Sequence, residues 1–262
     1  MLSTRLAVHR FFAAGVGLAA GYWLDYAPYP LNYQVLFASA FLAGLGSVYV
    51  LSHLKLPPSP QKSADQKKRA GLRELFSLIK GAPAFRNFAL AALLFRLGMQ
   101  MPSALYPIYR VRNVGCSDSW IGILLTVSRV VSVFAFFALS RLLKNAKYRR
   151  GLWMTCVAIS LHPMLTALSN TPQALVIPSL VGGLFGSGTN IFLTNTLFQV
   201  SPEDQRPAFV AANSFLANVT AFVAPLLGTV LADALGIKTA LVIAGGIRLL
   251  GGFAFWALRP SE

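Results

Sequence analysis

Acidic residues are scarce in this chain: eight Asp and Glu stand against 23 Lys and Arg, and charged residues of both signs make up only 12% of its 262 residues. Ordinary soluble domains carry about a quarter charged residues. A chain that is 55% apolar, with a mean hydropathy of +0.60, is excluded from that class. The carboxylates are Asp25, Asp65, Glu74, Asp118, Glu203, Asp204, Asp233 and Glu262, and each falls in a connector, at a helix end or at the terminus. The sequence therefore places no carboxylate pair inside a membrane. Cysteine is nearly missing as well. Cys116 and Cys156 lack CxxC or His-linked spacing, so neither a disulfide framework nor a zinc site has support. His9, His53 and His162 are scattered over different segments without metal spacing, and those near segment boundaries read as amphipathic side chains. No Ser, Thr or Cys sits in a recognisable setting with a base, and strand-like alternation is lacking. The expectation is an all-α membrane protein that is not an enzyme and has no catalytic residue, metal or cofactor.

What is present is a set of about eight apolar segments, roughly 8–24, 32–54, 87–109, 119–140, 151–168, 172–198, 208–232 and 236–258. Most hold the roughly 17 to 25 mainly apolar residues that cross about 30 Å of hydrocarbon. Of the 23 basic residues, 20 fall in the connectors, and rich connectors alternate with poor ones. Eight lie in 55–86 and five in 141–150, and alternate connectors sum to 17 on one side and three on the other. Because translocation disfavours Lys and Arg near span ends, the side with 17 is expected to be cytoplasmic, with both termini there. The net charge of +15 is explained by orientation and by contact with anionic lipid, without aromatic interleaving, so nucleic acid is not an expected partner. Arg5 and Arg10 precede an apolar stretch as in a signal peptide. No small-x-small cleavage pattern follows Trp23, so that stretch reads as a retained helix.

Three regions follow: two transmembrane helices over 1–54, a basic cytoplasmic linker over 55–86, and a six-helix bundle over 87–262. Pro57, Pro58 and Pro60 break the second helix, and Gln66, Lys67, Lys68 and Arg69 keep the linker in water. Within it, Leu72, Leu75, Phe76 and Ile79 recur at helical spacing opposite Arg73, Glu74 and Lys80. That pattern fits a short amphipathic helix, either at the membrane interface or packed on the bundle's inner surface. Short connectors between the later segments make neighbouring helices antiparallel.

Arg5, Arg10, the Gly15, Gly17, Gly21 spacing and the Leu24-Asp25 end resemble the fifth and sixth helices of a major facilitator superfamily transporter. The basic connector resembles that family's central cytoplasmic loop. The run from Phe85 to Leu258, including "SPEDQRP" at 201–207 and "APLLGTVLADALGIKTALVIAGGIRLLGGFAFW" at 224–256, resembles its C-terminal six-helix half. The resemblance thus covers helices five to twelve of twelve. The family's glycine-rich loop motif is absent, with "SRLLKNAKYRR" at 140–150 as its degenerate echo, and Ala14 to Tyr22 lacks the Pro of the antiporter motif, so drug/proton antiport has no support.

Three arginines, Arg96, Arg129 and Arg248, lie in the middle of apolar segments. Arg at the centre of a spanning helix costs about 2.5 to 3.5 kcal/mol on insertion scales, so each calls for a cavity or a partner. Arg96 shares a helical face with Gln100 and Ser103 on what the resemblance makes the cavity-lining seventh helix. It meets either substrate or backbone carbonyls of a helix bearing Pro102 and Pro107. Arg129, with Thr126 and Ser132 three residues to either side, has the same two readings. Arg248 lies among Ala244, Gly245, Gly251 and Gly252, a stripe that suits close helix packing and makes it a structural clamp. Gly183, Gly186, Asn190 and Thr194 share one face with Asn195 nearby, fitting a gate or a polar cavity wall. Asn213 and Asn218 in the next segment pose the same question.

The substrate-binding candidates are therefore Arg96, Gln100, Arg129, Asn190, Thr194 and Asn195, and the structural or gating ones Gly183, Gly186 and Arg248. The resemblance implies a secondary transporter of the plasma membrane, the inner membrane of a bacterial cell, moving a small solute by rocking one bundle against the other. The cationic interior points to an anionic solute. Because four helices have no counterpart, a truncated form is expected, completed by those helices or by another copy. The competing reading is a non-transporting binding or scaffold module.

Overall fold

The computed structural model describes residues 2–53, 81–142 and 148–258. The expected amphipathic helix around Leu72 to Ile79 lies outside them. Eight long helices follow in order: α1 (Leu2–Tyr26), α2 (Leu31–Ser52), α3 (Pro83–Gln100), α4 (Asp118–Leu142), α5 (Tyr148–Leu168), α6 (Val176–Val200), α7 (Arg206–Leu235) and α8 (Ile237–Ala257). No strand occurs among the described residues. Seven stretches among the described residues are long and apolar enough to cross a membrane, one from each of α2 to α8.

Local chemistry sets several boundaries. Pro83 opens α3 at its first turn, where a missing N–H costs nothing. Pro102 interrupts the same helix. The chain passes through a turn at residues 101–104, a short helix Leu105–Ile108 and a π-helical turn Tyr109–Asn113, so α3 and its extension form one 31-residue span. Gly236, at φ +86, lies in the left-handed region that favours glycine, and it lets α7 fold straight back into α8.

Helices α3 to α8 form one bundle. α8 lies against both α5 and α3, α6 lies between α5 and α4, and α7 flanks α3 and α8. Small residues allow these approaches, as van der Waals packing in lipid demands. A Cβ added at Gly98 would strike the Arg248 backbone on α8, one at Gly251 the Phe95 backbone on α3, and one at Gly183 the Ser128 carbonyl on α4. A Cβ at Gly228 would meet the Met101 carbonyl. Aromatic side chains fill the end where α3 begins: Phe85, Phe88, Phe95, Phe192, Phe209 and Phe255 are buried together.

α1 joins the bundle through α4. Near the start of α4, Gly21 and Gly17 touch Asp118 and Gly122, with room for no side chain at Gly21 or Gly122. Further along, the Thr126 hydroxyl donates to the Ala14 carbonyl at 3.1 Å. α2 is tied to α1 mainly at their shared turn, where Asn32 donates to the Leu24 carbonyl and accepts a bond from the Tyr33 N–H. Apart from Asn32 the α2 surface is largely bare, with Phe37, Phe41, Leu42 and Val48 all exposed.

Candidate solute site and comparison with known proteins

Arg96 sits 13 residues into α3, about 20 Å from its start at 1.5 Å per residue. Helical side chains lean toward the N-terminus, and the guanidinium reaches α7 there. Nη1 donates to Asn213 Oδ1 at 2.9 Å and to the Asn213 carbonyl at 3.3 Å. Of the two sequence readings, backbone carbonyl and solute, the first is met by another helix rather than by α3's own proline turn. The second stays open in geometry, since Arg96 is half-buried and its other guanidinium nitrogens have no partner among the described residues. Gln100, one turn further on, is half-buried too.

The remaining candidates separate. Arg129 is half-buried on α4 with no hydrogen bond to any described residue. Its companions serve helix packing: the Thr126 hydroxyl bonds the α1 backbone, and the Ser132 hydroxyl donates to the Gly183 carbonyl of α6 at 3.0 Å. Gly183 is where α6 meets α4, whereas Gly186 faces Ile159 of α5. Asn190 and Thr194 are exposed, and the Thr194 hydroxyl donates back to the Asn190 carbonyl at 2.9 Å; Asn195 is half-buried. The structure thus joins one predicted substrate-binding residue, Arg96, directly to a polar side chain on a facing helix. Asn213, a secondary candidate in the sequence, is that partner.

Arg248 is buried in the α3–α8 seam with Cζ 5.1 Å from the Phe95 ring centroid. The small residues around it pack as a clamp needs: Gly245 against Met164 and Gly252 against Val157, both of α5. His162, read in the sequence only as lacking metal spacing, is hydrogen-bonded to Tyr106 inside the bundle. Only side chains 56 residues apart on different helices make that pair, and no local pattern announces it.

Outside the spans, the Asp25 carboxylate caps the start of α4, accepting the Asp118 and Ser119 N–H groups at 3.0 Å each. The Ser119 hydroxyl, followed by those two N–H groups and the Ser117 hydroxyl, holds Asp25 below its ordinary value of 3.8 against an opposing desolvation. A helix N-terminus favours a carboxylate in the same sense. Among the described residues, Asp118, Glu203, Asp204 and Asp233 likewise stand at helix ends or in connectors, and the ion pair present is Arg206 with Glu203, at 3.3 Å on the surface. No group of three potential metal ligands occurs among the described residues.

A polytopic helical bundle whose interior, among the described residues, carries arginines and amides but no carboxylate defines a multi-pass membrane protein. The family model described as Major Facilitator Superfamily matches residues 4–172 and 147–262, and the chain belongs to that superfamily. Among solved structures, the Escherichia coli fucose:proton symporter FucP is similar in fold, with a TM-score of 0.59 at 14% sequence identity. The likeness covers 87% of this chain and 55% of the symporter, so this chain spans about half of that transporter's length. No curated protein matches in sequence.

Proposed function

We propose that this chain is the solute-holding part of a secondary active transporter that moves a small anionic solute by alternating access, supplying helices five to twelve of the family fold. The observation that carries the reading is Arg96: a half-buried guanidinium at midspan, held in place by the neutral Asn213 amide and without a carboxylate partner among the described residues. An amide fixes the side chain without cancelling its charge. The free edge of the fork suits bidentate contact with a carboxylate or phosphate. Gln100 and Arg129 are the next contributors, with Asn190, Thr194 and Asn195 supplying polar wall on α6.

The basic-residue asymmetry supports a plasma-membrane orientation with both termini cytoplasmic, which puts the Asp25 contact on the outside. In that orientation α1 and α4 are closed together from Asp25 and Asp118 to Ala14 and Thr126. Release of this seam is the motion that would open the outer side. The bare α2 surface, and an open apolar groove of about 340 Å³ on α1 lined by Phe12, Gly15, Val16 and Ala19, are where the four further helices or another copy would lie.

The test is a solute screen in membrane vesicles carrying the chain completed by an N-terminal four-helix complement. Saturable uptake of anionic solutes, exceeding that of neutral and cationic ones of similar size, is expected. Saturable uptake confined to neutral or cationic solutes refutes the anionic reading.

A further inference from the structure

Arg96 and Asn213 fix each other's hydrogens, and this limits what the pair can offer a solute. A guanidinium has five N–H donors and no acceptor. The two hydrogens of Nη1 go to Asn213 Oδ1 at 2.9 Å and to the Asn213 carbonyl at 3.3 Å. Nε and Nη2 keep the other three, and one hydrogen from each makes the side-on fork that a carboxylate meets with both its oxygens. Among the described residues, the unpartnered guanidinium nitrogens that are closed off belong to Arg110, Arg206 and Arg248, not to Arg96. Arg96 and Asn213 are both half-buried, so the pair is open in part to a solute.

The amide is oriented by the same contact. Because a guanidinium only donates, the Asn213 atom against it is the oxygen, and the other branch, Nδ2, carries two N–H groups. Nδ2 has no partner among the described residues. The fork and this amide thus stand side by side as donors. Gln100, half-buried one turn along α3, can turn either end of its amide outward and does not discriminate. The described carboxylates stand at helix ends or in connectors, so none lies beside the pair to receive an ammonium group.

Charge and hydrogen bonding then act together. The amide adds no charge, so the pair carries one positive charge and a monoanion neutralises it. A doubly charged oxyanion would leave an uncompensated negative charge in a poorly solvated interior. With a carboxylate on the fork, Nδ2 still needs an acceptor, and an oxygen on the carbon next to the carboxylate supplies one. An ammonium group there sets donor against donor and a second cation beside the guanidinium. A bare methylene leaves the amide unpaired, and a site built to hydrogen-bond a group rejects the analogue that lacks it.

We propose that the solute is a monocarboxylate with an acceptor oxygen on the adjacent carbon, a 2-oxo or 2-hydroxy acid, and that Asn213 Nδ2 selects it against the 2-amino and the unsubstituted acid. The selection rests on Arg96 holding an anion, as proposed above, and adds the class of that anion.

The experiment measures saturable uptake of labelled pyruvate, lactate, propanoate and alanine, their longer-chain counterparts and inorganic phosphate in vesicles carrying the completed transporter. For at least one chain length, apparent affinity for the 2-oxo or 2-hydroxy acid is expected to exceed that for the unsubstituted acid by about three- to tenfold, the worth of one hydrogen bond. The 2-amino acid and phosphate should be weaker still. Asn213→Ala should bring the ratio of 2-oxo to unsubstituted acid close to one. A 2-amino acid or phosphate taken up with equal or higher affinity overturns the proposal. So does a ratio unchanged in Asn213→Ala, where all acids weaken alike, because Asn213 is then only an anchor for Arg96. Equal affinity for every anion overturns the selection while leaving the anionic reading in place, whereas uptake confined to neutral or cationic solutes overturns both. Should Asn213→Ala fail to insert, the order of affinities in the unaltered protein decides alone.

Discussion

Single residues carry most of what was legible. Arg96, Arg129 and Arg248 stand out because a charge in an apolar run demands an explanation, and the structure gives two of them distinct settings: a partner amide for Arg96 and an aromatic seam for Arg248. The partners were not legible, since Asn213 is 117 residues from Arg96 and His162 is 56 from Tyr106, and spacing along a chain says nothing about facing helices. The Arg96–Asn213 pair makes a sharp prediction. Asn213→Asp replaces a neutral anchor by a charge that competes with an anionic solute, and a hydrogen bond to a charged group is worth about 1.5 to 3 kcal/mol. Apparent affinity in vesicle uptake should weaken by about tenfold or more, and an unchanged affinity would contradict the pairing's role. The glycines offer a stability test. Gly98→Ala drives a Cβ into the Arg248 backbone and should cost about 1 to 3 kcal/mol. Gly246→Ala meets nothing within 4 Å and should be close to neutral, as thermal unfolding of the two variants in one detergent will show.

At the scale of elements, the number and order of helices followed from hydropathy, and the glycine stripe of α8 followed from its spacing. The sequence reading took 87–109 as one segment, so the break at Pro102 was not expected, and the π-helical turn after it depends on how Tyr109 and Arg110 carbonyls find later N–H groups, at Val114 and Cys116. The α1–α4 seam was not legible, although Gly17 and Gly21 were noted, because the matching Gly122 lies three connectors away. That seam yields a pH prediction. Asp25 has its pKa depressed when it caps α4, so its contribution is complete above the ordinary carboxylate range and is lost only as pH falls through the lowered value. Acidifying from about pH 7 to about pH 5 should therefore leave the seam closed. Asp25→Asn, which removes the charge at any pH, should open it. Spin labels on the exposed positions Tyr26 and Asn113 report this: one short distance at both pH values in the parent, and an added longer population in Asp25→Asn. Opening of the parent at pH 5 would show that another group controls the seam.

The described residues form a six-helix bundle with one helix docked on it and another almost bare, and the chain matches just over half of the symporter's chain. Fold class was readable because lipid imposes long apolar helices and a charge bias at their ends, and the family through the resemblance carried by runs such as 201–207 and 224–256. Orientation rests on that bias, and impermeant thiol reagents can check it. Cysteines placed at Lys67 and Lys147 should label only after the membrane is breached, and labelling of either in intact cells would reverse the topology. The central claim is that Arg96 holds an anionic solute through its planar fork, and its most direct measurement is solute uptake by Arg96→Lys and Arg96→Ala in the completed transporter. With insertion confirmed for both, the account predicts uptake lost in Arg96→Ala and apparent affinity clearly weakened in Arg96→Lys, which keeps the charge but not the fork. Unchanged uptake and affinity in both would make Arg96 a structural residue and contradict the account.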